Sequence, residues 1–348
     1  MHKIPAENSY AFVIPNSKNH GAQNFFRRLY NNFDSQNKFL LIEEENNFLR
    51  NFLHLSNLSK NQNLKLITTV NSNKLGLIFK IFHPKIDLIA RLGNTVSQEI
   101  KKSSLKFFIH KFFYFFLMLF STKVIFQSEV MKRDFIEFFN FRNIKNKFHI
   151  IHNGVDVAQN NLTSEKKFLK LIDSSKINFL LVGSFKYQKG YDIFFNSLGL
   201  LNQEIFDKSH FHVCGGGEQF EHFQKLVSNS EYKTSITLHG EVEPAQFYKK
   251  CDVYILPSRF EGFSNSLIEA LSFGLPTILA DCPSANKEVV EENFNGVFFL
   301  NEDCIDLSKK IGYMIQNHAQ FNKALIKEDI KNRFSINVIA SIYKNLFI

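Results

Sequence analysis

Short apolar runs alternate with stretches of helical periodicity along most of the chain. Runs of this length, bounded by polar or glycine-containing segments, are typical of strands buried on both faces of a sheet. In the first half the predicted strands are Tyr10–Pro15, Lys38–Ile42, Leu64–Thr68, Ile86–Ala90, Lys123–Gln127 and Phe148–His152. In the second half they are Ile177–Val182, His210–Cys214, Ser235–His239, Val253–Pro257, Thr277–Ala280 and Val297–Leu300.

Helical patterns fill the intervals between these strands. The predicted helices are Ala22–Phe33, Asn73–Phe82, Ser104–Phe120, Glu129–Phe139, Gly190–Leu201, Glu218–Ser228, Pro244–Lys250, Asn265–Phe273 and Asn286–Glu291. The chain then ends in helices alone, from Asp303 to about Phe347, with an expected break near Ser335. This alternation predicts an α/β fold in which helices cover parallel sheets.

The length of 348 residues predicts about two domains. Residues 157–175 are polar and carry no strand pattern, so they form the predicted linker. The expected domains are residues 1–156 and 176–334, both doubly wound and Rossmann-like. A last helix at about 335–348 is expected to pack back on the first domain. Two such sheets facing each other would leave a cleft at the carboxyl ends of their strands, where ligands bind.

The positive charge of the chain is concentrated in its first half. Residues 1–156 hold 22 Lys and Arg against 11 Asp and Glu, whereas residues 157–348 hold 20 against 22. A basic half indicates an anionic partner, which could be a membrane surface, a phosphate-bearing lipid or nucleic acid. Nucleic acid is disfavoured, because the basic residues are scattered and form no recognised binding module.

The spacing of the cysteines and the length of the apolar runs indicate the compartment in which the chain is expected. The four cysteines lie far apart without a CxxC pair, which favours a reduced cytosol over a metal or redox site. The first ten residues are polar, so no signal peptide is expected. The longest apolar run, Phe112–Phe120, has nine residues and is too short to span a bilayer.

Residues 252–281, DVYILPSRFEGFSNSLIEALSFGLPTILAD, carry the strongest chemical pattern. A buried strand runs into a loop, and the loop ends in Ser264, Asn265 and Ser266, which are favoured residue types at helix N-termini. Gly274 stands where a helix-ending glycine is expected. The helix N-terminus would therefore lie at the carboxyl end of a strand, where its dipole and N–H groups favour an anion such as a diphosphate.

Two glutamates, Glu261 and Glu269, lie eight positions apart in this segment. One is in the loop and the other is about one turn into the helix. Carboxylates at these places could accept hydrogen bonds from the hydroxyls of a ribose and of a second polyol. The alternative is that both are solvated surface residues, which the local context disfavours.

The E-x7-E pattern within EGFSNSLIEALSFGLPTILAD closely resembles the retaining glycosyltransferases of the GT-B fold, specifically glycosyltransferase family 4, the group 1 family. The resemblance extends to other segments, which are strong in the second half and loose in the first. These segments are LLVGSFKYQKGYD (180–192), HVCGGGE (212–218), ITLHGEV (236–242), IIHNGVD (150–156) and NHGAQNFFRRL (19–29).

The resemblance implies roles for individual residues. Lys189 would bind the donor diphosphate, Glu269 would hold the nucleotide ribose, and Glu261 would meet hydroxyls of the donor sugar. Gly21 would let a first-domain loop approach the diphosphate. Lys189 and Glu261 are thereby candidate catalytic residues. Further donor-binding candidates, in the helix N-terminus and the glycine turns, are Gly183, Gly215, Gly240, Gly262, Phe263, Ser264 and Asn265.

The chain departs from the family pattern at three places. Ser184 stands where the family usually has an arginine, so one cationic contact is missing, for which Lys186 could compensate. The triple-glycine turn at 215–217 could bind phosphate or be a plain tight turn. Many relatives place a histidine near the donor sugar; here Arg91 is a candidate catalytic replacement, together with Asn94, or else has a structural role. His110 is a poorer candidate.

The implied activity is transfer of a sugar, with retention, from a nucleoside diphosphate to a polysaccharide or lipid-linked oligosaccharide. UDP-hexose or UDP-N-acetylhexosamine is favoured as the donor over GDP-mannose. No cofactor and no metal are expected. The alternatives are a catalytically degenerate scaffold or partner subunit, or another sugar-nucleotide reaction on the same fold. The expected setting is bacterial and cytoplasmic, at the inner face of the membrane.

Residues 104–120 allow two interpretations. The segment mixes a dense aromatic face with Lys106, His110 and Lys111. It could be a buried core helix, or an interfacial helix with Phe at the acyl boundary and Lys at the headgroups. The basic first half favours the second interpretation, which predicts peripheral association with an anionic membrane.

Overall fold

The computed structural model describes residues 10–15, 21–33, 39–44, 47–59, 64–93, 95–100, 105–141, 145–156 and 172–347. The chain divides into two compact units, one made of residues 1–154 with 336–348 and the other of residues 155–335. Of the linker expected at 157–175, residues 157–171 lie outside the described residues, as do Asn19, Asn94 and Ser104.

The first unit is built on a six-stranded parallel sheet. Its strands are β1 (Tyr10–Ile14), β2 (Phe39–Glu43), β3 (Lys65–Thr69), β4 (Asp87–Arg91), β5 (Lys123–Phe126) and β6 (Phe148–Ile150). They lie in the order β2-β1-β3-β4-β5-β6. The helices between them are α1 (Gly21–Phe33), α2 (Phe48–Ser59), α3 (Asn73–Phe82), α4 (Val96–Glu99), α5 (Leu105–Phe120) and α6 (Glu129–Phe139).

The second unit has its own six-stranded parallel sheet. The strands are β7 (Ile177–Val182), β8 (Ser209–Cys214), β9 (Ile236–Gly240), β10 (Val253–Leu256), β11 (Thr277–Asp281) and β12 (Gly296–Leu300), in the order β12-β11-β10-β7-β8-β9. The helices are α7 (Tyr191–Leu198), α8 (Gln203–Lys208), α9 (Phe220–Ser228), α10 (Ala245–Lys250), α11 (Asn265–Ser272), α12 (Asn286–Val289), α13 (Cys304–Asn317) and α14 (Lys323–Phe334).

Helices cover both faces of the first sheet. Successive strand residues point to opposite faces, so Leu88 enters a core with α3, α5 and α6 while Ile89 enters a core with α1. The last helix, α15 (Ile336–Phe347), belongs to the second of these cores. Its Tyr343 lies with its ring centroid 6.3 Å from that of Phe25 in α1. The end of the chain therefore completes the core of the first unit.

All twelve predicted strands are confirmed, with ends that differ by at most about two residues. The break near Ser335 is also confirmed, and a further break at 318–322 precedes α14, where the side chain of Asn322 accepts from two backbone N–H groups. The pattern missed α2, α4 and α8. In α2, Phe48 and Leu49 are exposed while the buried residues are Asn51 and Leu55, so the side that packs is not the purely apolar one that a sequence pattern marks.

The aromatic helix α5 is not a core helix along its length. It fully buries only Leu117 and Met118, and Phe107 packs against the rings of Phe138 and Phe139 in α6. Its outer side is exposed, as at Phe112. Of the helices in the described part of the chain, none has the length and apolar character to span a bilayer.

Candidate functional site

The strand order of the second unit brings two loops together. The chain leaves β7 toward β8 and β9, and then continues on the other side of β7 with β10. The loops that follow β7 and β10 therefore flank the point where the strand order reverses. In open parallel sheets this is the place where ligands bind.

Lys189 and Glu261 extend from these two loops and form an ion pair. Lys189 Nζ lies 2.5 Å from Glu261 Oε1. Ser258 Oγ donates to the same oxygen at 2.8 Å, and Gln188 Nε2 donates to Oε2 at 3.4 Å. The lysine side chain is 19% exposed and the glutamate side chain 8%. Since both charges are largely withdrawn from water, their attraction exceeds that of a surface pair.

Gly190 allows the turn that carries Lys189 to approach β10 closely. Residues 187–189 form a single 3-10 turn, and Gly190 ends it with a φ of +64°. A Cβ at this position would lie 2.1 Å from the carbonyl oxygen of Pro257. Both the left-handed backbone and the close approach require glycine. The Lys-Gly pair seen in the sequence thus places the cation against the loop of Glu261.

Arg259, which the motif pattern did not single out, ties the same two loops together. Its guanidinium donates to both carboxylate oxygens of Asp192, at 2.8 and 2.6 Å, and stacks 4.1 Å above the ring of Tyr187. These hydrogen bonds hold the pKa of Asp192 below its ordinary value and raise the pKa of Arg259. Such a bidentate pair fixes orientation as well as distance. The sequence does contain one signal that could have pointed to Arg259, which is its place between the buried strand β10 and the loop residue Glu261.

The N-terminus of α11 lies at the same edge of the sheet, because the loop after β10 leads directly into it. Ser264 is the N-cap residue, and its Oγ lies 3.2 Å from Ser266 Oγ. Tyr254 Oη donates to Ser266 Oγ at 2.8 Å. The loop is anchored from behind by Phe263, which is buried with its ring centroid 5.8 Å from that of Phe334. Phe263 therefore serves packing, and the polar groups of the turn face the site edge.

Glu269 lies one turn into α11, as predicted from the sequence. Tyr248 Oη donates to Glu269 Oε2 at 3.5 Å. Burial raises the pKa of Tyr248 well above its ordinary value, and the nearby carboxylate of Glu269 raises it further. Glu261 and Glu269 both act electrostatically on the buried hydroxyl of Tyr254. Both carboxylates therefore lie near enough to Tyr254 to disfavour ionisation of its hydroxyl.

The predicted glycines Gly183, Gly215 and Gly240 follow three neighbouring strands and lie in a row. Gly215 N donates to Gly240 O at 2.7 Å. A Cβ on Gly215, whose φ is +149°, would lie 1.9 Å from Gly183 O. The left-handed backbone and this close approach explain the glycine at 215 without any ligand. A Cβ on Gly183 would make only ordinary contacts, 3.5 Å from the side chains of Lys189 and Tyr191, so packing does not require glycine there. Gly262 is also held by backbone, since its carbonyl accepts from Ala285 N at 3.3 Å.

Comparison with known proteins identifies the second unit. Residues 163–332 match the family model described as glycosyl transferases group 1. The chain is a glycosyltransferase, and the residues that match the group 1 model lie in its second unit. A relative from Campylobacter jejuni, an N,N'-diacetylbacillosaminyl-diphospho-undecaprenol alpha-1,3-N-acetylgalactosaminyltransferase, is 26% identical over 316 residues, which are 86% of this chain and 81% of the relative.

Solved structures show the same fold. The Anabaena protein HepE, solved in complex with UDP-glucose, has a TM-score of 0.76 and 17% identity, with 97% of this chain and 99% of that one covered. A glycosyltransferase from Rickettsia africae has a TM-score of 0.77 and 16% identity, with 98% of each chain covered. The predicted GT-B fold, with two Rossmann-like units, is confirmed.

Ser184 remains the main departure of this glycosyltransferase from the family pattern. The residue follows Gly183 at the end of β7, and its carbonyl accepts from Lys186 N at 2.9 Å. Lys186 is exposed. Among the described residues of the loop after β7, Lys189 is therefore the cation that is held at this edge of the sheet, through its ion pair with Glu261.

Arg91, a candidate catalytic residue, lies inside the first unit. It is fully buried at the end of β4, where it donates to the side-chain oxygen of Asn153 and lies 4.9 Å from the ring centroid of Phe25. Burial lowers its pKa, and the interaction with Tyr343 of α15 acts in the other direction. These contacts all lie within the first unit. They give Arg91 the structural role that was the alternative, although its partners are an amide, aromatic rings and a tyrosine rather than a carboxylate.

Two other first-unit candidates have different outcomes. Gly21 is the first residue of α1, so the loop that precedes it lies outside the described residues. His110 lies in the middle of α5, where its Nδ1 is 2.7 Å from the carbonyl oxygen of Lys106 one turn earlier. His110 thus forms a hydrogen bond within its own helix, and it was the poorer candidate for a site residue.

A row of histidines lies behind the glycine turns. Asn178 uses its amide Nδ2 to donate to two backbone carbonyls, so its Oδ1 accepts from His212 Nε2 at 3.1 Å. The other ring nitrogen of neutral His212, Nδ1, is then an acceptor, and His239 Nε2 donates a hydrogen bond to it at 3.1 Å. Burial, with smaller contributions from neighbouring histidines, lowers the pKa of His212 to about 3 and that of His239 to about 4.

This row predicts a loss of stability in mild acid. An unfolded histidine binds a proton as the pH falls below about 6.5, whereas native His212 stays neutral. The stability contributed by neutral His212 is therefore highest well above pH 6.5 and falls as the pH is lowered from 6.5 toward 3, with a loss of about 2 kcal/mol at pH 5 for this one residue. His212→Gln, which can keep both hydrogen bonds, should reduce the difference between urea midpoints measured at pH 7.5 and 5.0. His222→Gln, at an exposed position of the same unit, is the control, and an equal effect of both variants would contradict the assignment.

No group of three His, Cys, Asp or Glu side chains in the described ranges is arranged to hold a metal ion. The polar groups at the site edge are a lysine, two glutamates, hydroxyls and a helix N-terminus. These can bind a polyol and an anion.

Proposed function

We propose that this chain is a retaining family 4 glycosyltransferase that moves a hexose or N-acetylhexosamine from UDP to a polysaccharide or lipid-linked oligosaccharide. The observation that carries the proposal is the pairing of Lys189 with Glu261, at 2.5 Å, beside the N-terminus of the helix that bears Glu269. Lys189, the N-terminus of α11 and the carboxylates of Glu261 and Glu269 therefore lie together where the strand order reverses.

Each of these groups meets a different part of a nucleotide sugar in the proposal. Lys189 and the N-terminus of α11 stabilise the charge that develops on the departing diphosphate, and no metal is needed for this. Glu269 accepts hydrogen bonds from the ribose hydroxyls, and Glu261 accepts from hydroxyls of the donor sugar. Ser258 holds the carboxylate of Glu261 in place. Arg259 orients the turn of Lys189 through Asp192 and is a positioning residue.

Donor binding must change the partner of Lys189. In the free protein the ammonium group is neutralised by Glu261. A diphosphate carries more negative charge than a carboxylate, so it competes well for the same cation. The freed carboxylate is then available to the sugar hydroxyls. When Lys189 exchanges Glu261 for the diphosphate, the diphosphate gains its cation and the sugar hydroxyls gain their acceptor.

The choice of donor and acceptor rests on the similar proteins. The Anabaena structure contains UDP-glucose, which supports a UDP-sugar. The Campylobacter relative is named for transfer to a diphospho-undecaprenol-linked sugar, which supports a lipid-linked acceptor. We accordingly propose that the first unit binds the acceptor and that the chain acts at the cytoplasmic face of the membrane. Retention is supported by the resemblance of the E-x7-E segment to retaining enzymes.

A transfer assay tests this proposal. Purified protein is incubated with each of UDP-glucose, UDP-galactose, their N-acetylated forms and GDP-mannose, with undecaprenyl-diphosphate-linked saccharides as acceptors. We expect a lipid-linked product extended by one sugar with one of these donors, and NMR of the new bond should show the anomeric configuration of the donor. Transfer from GDP-mannose alone would contradict the donor proposal, and an inverted bond would contradict retention.

A further inference from the structure

Exposed apolar side chains are concentrated on three helices of the first unit. Among the described residues, twelve of the twenty exposed large apolar side chains lie there, three on α2, three on α3 and six on α5. Leu49 is 64% exposed, Phe82 70%, Leu105 76% and Phe112 68%. Single exposed apolar residues are ordinary, but a concentration of this kind marks a surface that another body covers.

The three helices are neighbours, so these side chains form one surface. α2 packs against α3, and α3 packs against α5. Phe52 of α2 joins the first two, with its ring centroid 5.2 Å from that of Phe79 and 5.8 Å from that of Phe82. We call the exposed side of α2, α3 and α5 the outer face.

The charges on the outer face are of one sign. The sequences of α2, α3 and α5 contain no aspartate or glutamate. They contain Arg50, Lys74, Lys80, Lys106 and Lys111. Lys106 is exposed, and Lys111 lies with its ammonium group 5.7 Å from the ring centroid of Phe107. Long basic side chains beside exposed aromatic rings suit a boundary between an apolar and an anionic layer.

We propose that the outer face docks on the surface of an anionic lipid bilayer. The apolar side chains enter the boundary between headgroups and acyl chains, and the exposed Arg50, Lys74 and Lys106 meet the lipid phosphates. Lys80 is not counted among them, because its ammonium group donates to the carbonyl oxygens of Pro84 and Ile86. A second copy of this chain fits poorly, because two such faces would bring like charges together and none of the three helices carries an aspartate or glutamate to offset them. An anionic bilayer matches both the apolar side chains and the positive charge, since its interior is apolar and its surface is anionic.

This inference goes beyond the proposed transfer reaction and does not depend on the donor site. The outer face belongs to the first unit, whereas Lys189, Glu261 and Glu269 belong to the second. Failure of vesicle binding would leave the donor assignment intact, and failure of UDP binding would leave the outer face intact. The two proposals are therefore tested separately.

The absence of tryptophan from the sequence allows a direct test. Phe112→Trp places a single indole on the outer face, and Tyr313→Trp places one on α13 of the second unit as a control. With vesicles that contain phosphatidylglycerol, we expect the emission of the first variant to move to shorter wavelength and to be quenched by brominated acyl chains. The emission of the control should not change. Equal behaviour of the two indoles, or no change in either, would overturn the proposal.

Cosedimentation gives the second measurement. Phe108→Ser with Phe112→Ser replaces two exposed rings, which are not needed for folding, and should weaken binding to phosphatidylglycerol vesicles by about tenfold or more. Leu300→Ser with Ile305→Ser, exposed in the second unit, is the matched control. Binding should fall with salt and be weaker on phosphatidylcholine. Equal binding by both variants, no binding at low salt, or a protein dimer abolished by the Phe108 and Phe112 changes would contradict a lipid partner.

Discussion

Glu269→Ala should weaken UDP binding by about 100-fold and abolish measurable transfer. In the proposed function this carboxylate accepts from the two ribose hydroxyls, and hydrogen bonds to a charged group contribute about 1.5–3 kcal/mol each. Alanine removes both acceptors. Titration calorimetry with UDP gives the affinity, and the transfer assay gives the rate.

Glu269→Gln separates the loss of acceptors from a general disturbance of the fold. It keeps one carbonyl oxygen near Tyr248 and should retain part of the affinity for UDP. Glu221→Ala, an exposed glutamate on α9 of the same unit, is the matched control and should bind UDP like the wild type. Undiminished UDP binding by Glu269→Ala, with an unchanged melting temperature, would contradict the ribose assignment.

Glu261→Gln should change donor binding and transfer in opposite directions. In the free protein Glu261 neutralises Lys189, with the two atoms 2.5 Å apart. Removing the carboxylate charge releases the cation from a pair stronger than a surface pair, so UDP should bind more tightly, by about tenfold or more. Transfer should fall by about 100-fold or more, because the proposed contact with the sugar hydroxyls is weakened where charge develops.

Two further variants make the result of Glu261→Gln specific. Lys189→Ala should lose both UDP binding and transfer, since no cation then remains against the diphosphate. Glu302→Gln removes a carboxylate that lies 3.4 Å from Arg259 Nε but is not assigned to the donor, and it should leave both quantities near the wild-type values. Weaker UDP binding by Glu261→Gln would show that the pair holds the site together rather than exchanging partners.

The strands of this chain were predictable because each is a short apolar run in a doubly wound fold. Strands buried on both faces need no amphipathic signal, and Gly, Pro and polar residues mark their ends. The helix α11 was predictable for a related reason. Its N-terminal serines and Gly274, with a φ of +83°, mark both ends. Where a helix exposes apolar residues and buries a polar one, as α2 does with Phe48, Leu49 and Asn51, the apolar positions in the sequence do not mark the packed side.

The candidate site was predictable only in part. Lys189, Glu261 and Glu269 belong to local motifs, so the loop or helix position of each could be predicted from the neighbouring residues in sequence. Arg259 and Asp192 come from different loops, and their bidentate contact depends on the strand order, which no local pattern states. Arg91 was placed correctly at the end of β4, whereas its contacts inside the first unit were not predicted. Its side chain instead fills the space between α1 and α15, a contact between residues more than 200 positions apart in sequence.

The central claim is that the second unit binds a uridine diphosphate through Lys189 and Glu269, and a thermal-shift comparison of UDP, GDP, ADP and CMP tests it most directly. A ligand that binds only the folded state adds about 2.7 kcal/mol of stability at 100 times its dissociation constant. We predict a clear rise in melting temperature with UDP, a smaller rise or none with the other nucleotides, and no rise with UDP in Glu269→Ala. An absence of any shift in the wild type, or an equal shift in Glu269→Ala, would contradict the account.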